Sequence, residues 1–404
     1  MVSGGHGETE ATSAQARAAL LTLVAADGPS QVGSPRLTSA AWVELDRLAA
    51  LHRLQPLLHC RTRERGDVPA DLAAGWAEMR RSGAAMALLQ RGELQRTVAL
   101  LEAAGLRPVA LKGAWLAWQV YPEPALRPLR DLDLLLPAEE AIPAFRLLEA
   151  HGYALLDRPD LSLEDILRLD KHMPPLRSPR GVTVELHHRL WEIDGRMDHA
   201  APAAGEADFL ARCRRVDGVL FPCPQDMLVH IIVHAAYDHR LDCGALVLSD
   251  IAYLVAKNEI DWPQFWREAD ERGFRRGAET LLTLVARHAP QLAIRFGDGA
   301  AVIPPSVLDA AVRLLFQDHE TRQSAGVYAT LRARGWRRFW QRLRARRGTA
   351  TDATTTARDL TGAGGYLGWA ASRLDRTLGH LLRGPALAQG RDLALMSRWL
   401  DGRG

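Results

Sequence analysis

The sequence predicts an α+β fold: a small mixed sheet, with an N-terminal helical region before it and a C-terminal helical domain after it. Three observations carry this expectation. With 404 residues, 47% of them apolar and 25% charged, the chain can bury more than one core. Apolar residues recur at helical intervals from Ser39 to about Gly105, and again beyond residue 224. Between these regions the period changes to short extended runs separated by glycine and proline.

Taken in order, residues 1–37 are rich in Gly, Ser, Ala and Pro and read as a mobile arm holding one helix around SAQARAALLTLVAA. Residues 38–105 form the N-terminal helical region. There SAAWVELDRLAALHRL spaces Trp42, Leu45, Leu48 and Leu51 along one face, LLQRGELQRTVALLEAAG repeats the habit, and Gly105 stops it. Residues 106–222 form the sheet-bearing core. LRPVALKG reads as a strand entering a glycine turn at Gly113 with a helix after it, and DLDLLL as a second strand. PAEEAIPAFRLLEAHG is a helix between Pro137 and Gly152, and MPPLRSPRGVTVELHHRL a hairpin turning at SPRG. Residues 223–300 return to helical patterns, such as PQDMLVHIIVHAAYDHR and GALVLSDIAYLVAK.

Residues 301–404 form a helical extension. LRARGWRRFWQRLRARRG has eight arginines between Arg332 and Arg347 and no acid, with Trp336, Phe339, Trp340 and Leu343 at helical spacing. This 332–347 helix suits RNA phosphates, an anionic membrane surface or an acidic partner protein, or it packs its aromatics and solvates its arginines. GTATDATTTA reads as a polar linker and YLGWAASRLDRTLGHLL as a last amphipathic helix.

Composition narrows the function classes. A formal charge of +3 is small for this length and does not announce a general nucleic-acid binder. Cys60, Cys213, Cys223 and Cys243 are scattered, without a CxxC pair or a secretory leader, which predicts reduced thiols in the cytoplasm. No run approaches the ~20 apolar residues of a spanning helix.

The chemistry concentrates in DLDLLL. Alternate strand positions send Asp131 and Asp133 to one face while Leu132 and Leu134 face a core. Two carboxylates this close share a proton or are neutralised by cations; in the second case they form a divalent-metal site suited to Mg²⁺ or Mn²⁺. Glu185 lies in VTVELHH, an extended run able to pair beside the first, and its face also carries Thr183 and His187. Three acids on neighbouring strands, above a glycine turn that admits phosphate, form the arrangement of two-metal phosphoryl or nucleotidyl transfer.

Around these acids the roles stay open. Arg127 and Arg130 meet phosphate oxygens or pair with the aspartates. Lys112 binds phosphate or is a strand-end surface lysine. His187 orients a carboxylate, contacts the acceptor or makes a structural hydrogen bond, and Asp250 points toward the cleft from the helical domain. His230 and His234, four apart with His239 downstream, have zinc-compatible spacing without a metalloprotease glutamate, so packing and helix-cap roles are expected.

VALKGAWLAWQVYPEPALRPLRDLDLLL followed by VTVELHHRLW resembles the uncharacterised bacterial nucleotidyltransferase family of the polymerase-β nucleotidyltransferase superfamily. The shared signatures are a Leu-Lys-Gly turn, an Arg-Pro-x-Arg-Asp-hydrophobic-Asp-Leu strand and a Glu-Leu-His strand. LKG and RPLRDLDLL are more distantly similar to the turn and acidic strand of abortive-infection type nucleotidyltransferase toxins. Roughly residues 40–285 are covered. The resemblance implies a polymerase-β-like core, with Asp131 and Asp133 as the metal-binding pair, Glu185 as the third acid, and Lys112 and Gly113 as the nucleotide-phosphate turn. It implies transfer of NMP from an NTP such as ATP to a small molecule or peptide, since family members often accompany biosynthetic gene clusters. The alternatives are a toxin-like enzyme modifying tRNA or other RNA and a non-catalytic nucleotide-binding scaffold module. The superfamily's usual Gly-Ser or Gly-Gly is replaced here by Lys112-Gly113, and a helix lengthens the gap to the acids.

Overall fold

The computed structural model describes residues 4–26, 36–156, 161–191, 207–297, 299, 301–317 and 384–402. These fall into two compact units, one within residues 1–239 and 243–302, the other within 240–242 and 303–404. The arginine-rich segment 332–347, the polar linker and the amphipathic segment 366–382 lie outside the described residues.

At the centre of the first unit is a mixed sheet. Its strands are β1 (Val109–Ala110), β2 (Leu132–Leu135), β3 (Ala154–Leu155), β4 (Leu176–Arg177), β5 (Thr183–His187), β6 (Arg214–Val216) and β7 (Val219–Phe221). They lie in the order β3-β4-β5-β2-β1-β7-β6. The β2–β5 and β1–β7 pairs are parallel and the rest antiparallel. Central β2 is buried on both faces, which suits its leucine run. The β2–β5 register sets Asp133 opposite Glu185 and Leu135 opposite His187.

Helices cover the sheet and continue past it. Ahead of β1 come α1 (Gly4–Ala25), α2 (Ser39–Leu51), α3 (Gln55–Thr62) and α4 (Ala70–Ala103). Between β1 and β2, a single turn α5 (Gly113–Trp115) runs into a π-helix, Leu116–Val120. Further on are α6 (Ala138–Ala150), α7 (Leu163–Leu169) and α8 (Ala207–Arg212), then α9 (Pro224–Val233), which passes into a second π-helix, His234–Asp238. The unit closes with α10 (Leu246–Lys257), α11 (Trp262–Glu271) and α12 (Arg275–His288). In the second unit α13 (Pro305–Leu315) packs on α14 (Gly384–Leu400), tied by a bidentate Arg313–Asp392 pair at 2.8 Å.

Three local features differ from the sequence reading. The N-terminal helix is not a loose arm: Ala16, Leu20, Leu23 and Val24 of α1 are buried, the helix packs on α2, α10 and α12, and Ser249 donates to the Val24 carbonyl. Its apolar face is needed to cover α10, so the small-residue composition around it was misleading. The β6–β7 hairpin was unforeseen, although Asp217 (φ 48°) and Gly218 (φ 84°) are the left-handed pair that a two-residue turn requires. Asp131 lies just before β2 rather than inside it. Among the described residues no helix is long and apolar enough to cross a membrane, and all four cysteines are free.

Candidate functional site

The parallel pairing of β2 and β5 builds the site. Side chains two apart on β5 share a face, so Glu185 and His187 project together, and the register brings Asp133 alongside them. His187 Nε2 donates to Asp133 Oδ1 at 2.8 Å and lies 3.6 Å from Glu185 Oε2. One ligand atom from each of the three residues lies within 4.8 Å of the others. Lys112 Nζ reaches the same Asp133 oxygen at 3.1 Å from the end of β1.

Lys112 makes that contact from a backbone at φ 46°, ψ −118°, a region that favours glycine. A residue held there stores strain, and such strain concentrates at functional sites. Behind the turn, a Cβ added to Gly113 would meet Arg127 Nη1 and Leu129 Cδ2, each at 2.5 Å. Glycine is therefore required by the side chains stacked on it.

The charges do not balance. Burial disfavours ionised Asp133, yet Lys112 and His187 outweigh it and hold its pKa well below the carboxylate range. For Asp131, burial and then the charges of Asp133 and Glu185 raise the pKa to about 6. Burial also opposes charge on Glu185, but the His187 contact lowers its pKa overall. His187 is pushed down by burial and further up by Asp133 and Glu185. Its Nδ1 is buried without a hydrogen-bond partner among the described residues. Two carboxylates and an imidazole nitrogen at this spacing, with a third carboxylate beside them that ionises reluctantly, fit a divalent cation.

The other expected residues divide. Asp131 is electrostatically part of the cluster, though it is not one of the three residues whose ligand atoms converge. Arg130 is exposed. Arg127 instead turns inward: its Nε and Nη2 donate to Asp250 at 3.1 and 2.8 Å, and Tyr121 Oη donates to the same carboxylate at 2.7 Å. Asp250 is thus spent on Arg127 and Tyr121 and does not face open cleft.

Sequence reasoning missed several neighbours. His172 bridges to His187, with ring centroids 5.2 Å apart. Lys171 beside it donates to Asp238 at 3.0 Å, and His234 Nδ1 lies 3.3 Å from the same Asp238 oxygen. His230, expected to pack or cap, is buried with neither ring nitrogen hydrogen-bonded among the described residues. The spacing of His234 and Asp238 was visible in HAAYDH; the lysine that meets them, 67 residues from Asp238, was not.

Together the sheet and cluster define a mixed α/β protein with an acidic, histidine-bearing centre whose donors suit a divalent metal. The chain belongs to a family described as an uncharacterised nucleotidyltransferase, which matches residues 38–290 and so takes in the sheet, both π-helices and every residue of the cluster. Compared with curated proteins and with solved structures, the chain matches none.

Proposed function

We propose that this protein is a metal-dependent nucleotidyltransferase with a polymerase-β-like core, moving NMP from an NTP such as ATP to a hydroxyl of a small molecule or peptide and releasing pyrophosphate. The observation that carries the reading is Asp133 set opposite Glu185 on adjacent parallel strands, with Asp131 just upstream. Family membership supports an NTP as donor. Asp131, Asp133 and Glu185 would hold Mg²⁺ or Mn²⁺, hard cations that carboxylate oxygens suit. When bound, the ions supply Lewis-acid stabilisation of the triphosphate and of the departing pyrophosphate.

The chain's own groups do the rest. Lys112, in contact with Asp133 at 3.1 Å, transfers that contact to a phosphate oxygen, and exposed Arg130 adds positive charge on the rim. Arg127 supports the Lys112–Gly113 turn from behind, anchored by Asp250. His187 keeps Asp133 and Glu185 aligned, and Glu185, one-fifth exposed, orients the attacking hydroxyl.

The test is label transfer from each α-³²P-labelled NTP with Mn²⁺ or Mg²⁺ and a metabolite extract or small RNA, using the Asp131→Asn/Asp133→Asn variant as control. Label on a small product or peptide, lost in the variant, supports the reading. Label on RNA moves the acceptor to the toxin-like class. Nucleotide binding with no transfer to any acceptor favours the scaffold module.

A further inference from the structure

A second polar cluster, built on His234, Asp238 and Lys171, is joined to the acidic one through His172. Helix α9 passes without a break into the π-helix His234–Asp238, closed by the His239 amide donating to the His234 carbonyl at 3.0 Å. Such π segments occur frequently at functional sites. This one sets His234 Nδ1 3.3 Å from Asp238 Oδ2. The carboxylate is held from its other side by Lys171 Nζ at 3.0 Å, and both partners of that ion pair are buried. Lys171 precedes His172, which bridges His187 of the acidic cluster, so one stretch of backbone fixes both groups.

The geometry selects a tautomer. A neutral imidazole that donates Nδ1–H to a carboxylate leaves a lone pair on Nε2. His234 is one-fifth exposed, and its Nε2 has no hydrogen-bond partner among the described residues. Its ring is packed between His230, stacked at 5.9 Å, and His239, edge-on at 4.3 Å. Burial first, then the charge of Lys112, and then His239, Lys171 and His230 hold the His234 pKa well below its ordinary value. The Asp238–Lys171 pair, followed in the chain by His172 on its bridge to His187, ties the ring to the acidic centre.

We propose that His234 is the general base of the reaction: its Nε2 takes the proton of the acceptor hydroxyl, with Asp238 orienting the ring and stabilising the imidazolium. The inference rests on the nucleotidyl-transfer reading. The acceptor O–H bond breaks as its proton moves to Nε2, and the oxygen forms a bond to the α-phosphorus. The bond from that phosphorus to the bridging oxygen breaks, and pyrophosphate leaves with the electron pair. The imidazolium then releases its proton to solvent at the exposed edge. Asp238 acts through His234 and is a positioning residue.

The deciding variant is His234→Asn, whose amide keeps a donor toward Asp238 but supplies no base. Transfer from α-³²P-labelled NTP with Mn²⁺, in the presence of a deproteinised cell extract and small RNA, is measured alongside thermal stability and the affinity for a non-hydrolysable α,β-methylene NTP. The expected result is melting and nucleotide affinity close to wild type, a transfer rate about 10²–10⁴-fold lower, and, at saturating Mn²⁺ where metal binding no longer limits the rate, loss of the acidic limb that remains in the pH–rate profile. Asp238→Asn should lower the rate less and shift that limb without removing it. Transfer at the wild-type rate by His234→Asn overturns the assignment, as does a loss confined to nucleotide affinity. Absence of transfer by the wild-type protein overturns the nucleotidyl reading, and this inference with it.

Discussion

Asp133 and Asp250 are both buried and both meet a cation supplied by the segment from Lys112 to Arg130, yet their surroundings differ in kind. At Asp250 one guanidinium makes a two-pronged contact and one tyrosine hydroxyl completes it, so both oxygens are satisfied and the pair is neutral. At Asp133 an ammonium and an imidazole converge on a single oxygen while Asp131 and Glu185 add further negative charge. The first arrangement is closed and holds the fold. The second is incomplete, and its donors suit a divalent cation. Charge balance and closure, where burial and ion pairing do not, separate an aspartate that holds the fold from one left able to take a cation.

The widest separation should come from removing one member of each charge cluster. Asp133→Asn should reduce label transfer to background and abolish Mn²⁺ binding, read by electron paramagnetic resonance of the free ion, in a protein that still folds and loses less stability than the change at the other site. An Asp133→Asn protein that still binds Mn²⁺ and transfers label would place the metal site elsewhere. At the other site the order of effects should reverse. Arg127→Met leaves Asp250 buried with only Tyr121, and breaking a buried pair in this way costs about 3–5 kcal/mol. Denaturant unfolding of Arg127→Met and of the Arg127→Met/Asp250→Leu double variant should show the second change recovering much of the loss of the first. Lost activity in a fully stable Arg127→Met protein would show instead that this arginine serves the phosphates directly.

How far the two sites were legible in sequence follows the same division. Asp133, Glu185 and His187 could be brought together from strand alternation and one guess about which strands pair, because period-2 geometry is local. The hairpin β4–β5 and helix α6 followed from their turn and boundary residues. Arg127 and Asp250 lie 123 residues apart, and no local period relates an arginine in a loop to an aspartate on α10. A phosphate role for Arg127 was the natural expectation from its neighbours in RPLRD, and only tertiary packing redirects it. The β6–β7 hairpin differs again: its Asp217-Gly218 pair is a strong turn signal that was present and went unused.

A smaller effect links the two sites through Gly113. A methyl group there would press on Arg127 Nη1 and Leu129 Cδ2 at 2.5 Å, and Arg127 cannot yield while Asp250 grips it. Gly113→Ala should therefore cost about 1–3 kcal/mol, as overpacking commonly does. Measured in the Arg127→Met background, the same substitution should cost less. Additive losses in that double-variant cycle would mean that Arg127 does not brace the turn.

The mildest change tests the incompleteness of the Asp133 site. Lys112→Met removes an internal cation that competes with a divalent ion for Asp133 Oδ1, so Mn²⁺ affinity should rise, by about tenfold if the contact is worth ~1.4 kcal/mol, while nucleotide affinity falls. The pH dependence has a definite sign. Burial and the neighbouring carboxylates raise Asp131 from 3.8 to about 6, so the folded protein binds this proton more tightly than the unfolded chain. Stability of the metal-free protein therefore declines as pH rises from about 4 through 6. Over the same range Mn²⁺ binding strengthens, because the proton it displaces is lost. Lys112 is one of the charges that lower the Asp131 pKa, so its removal should move both inflections to higher pH. An inflection that stays in place, with unchanged Mn²⁺ affinity, would mean that Lys112 balances Asp133 as completely as Arg127 balances Asp250.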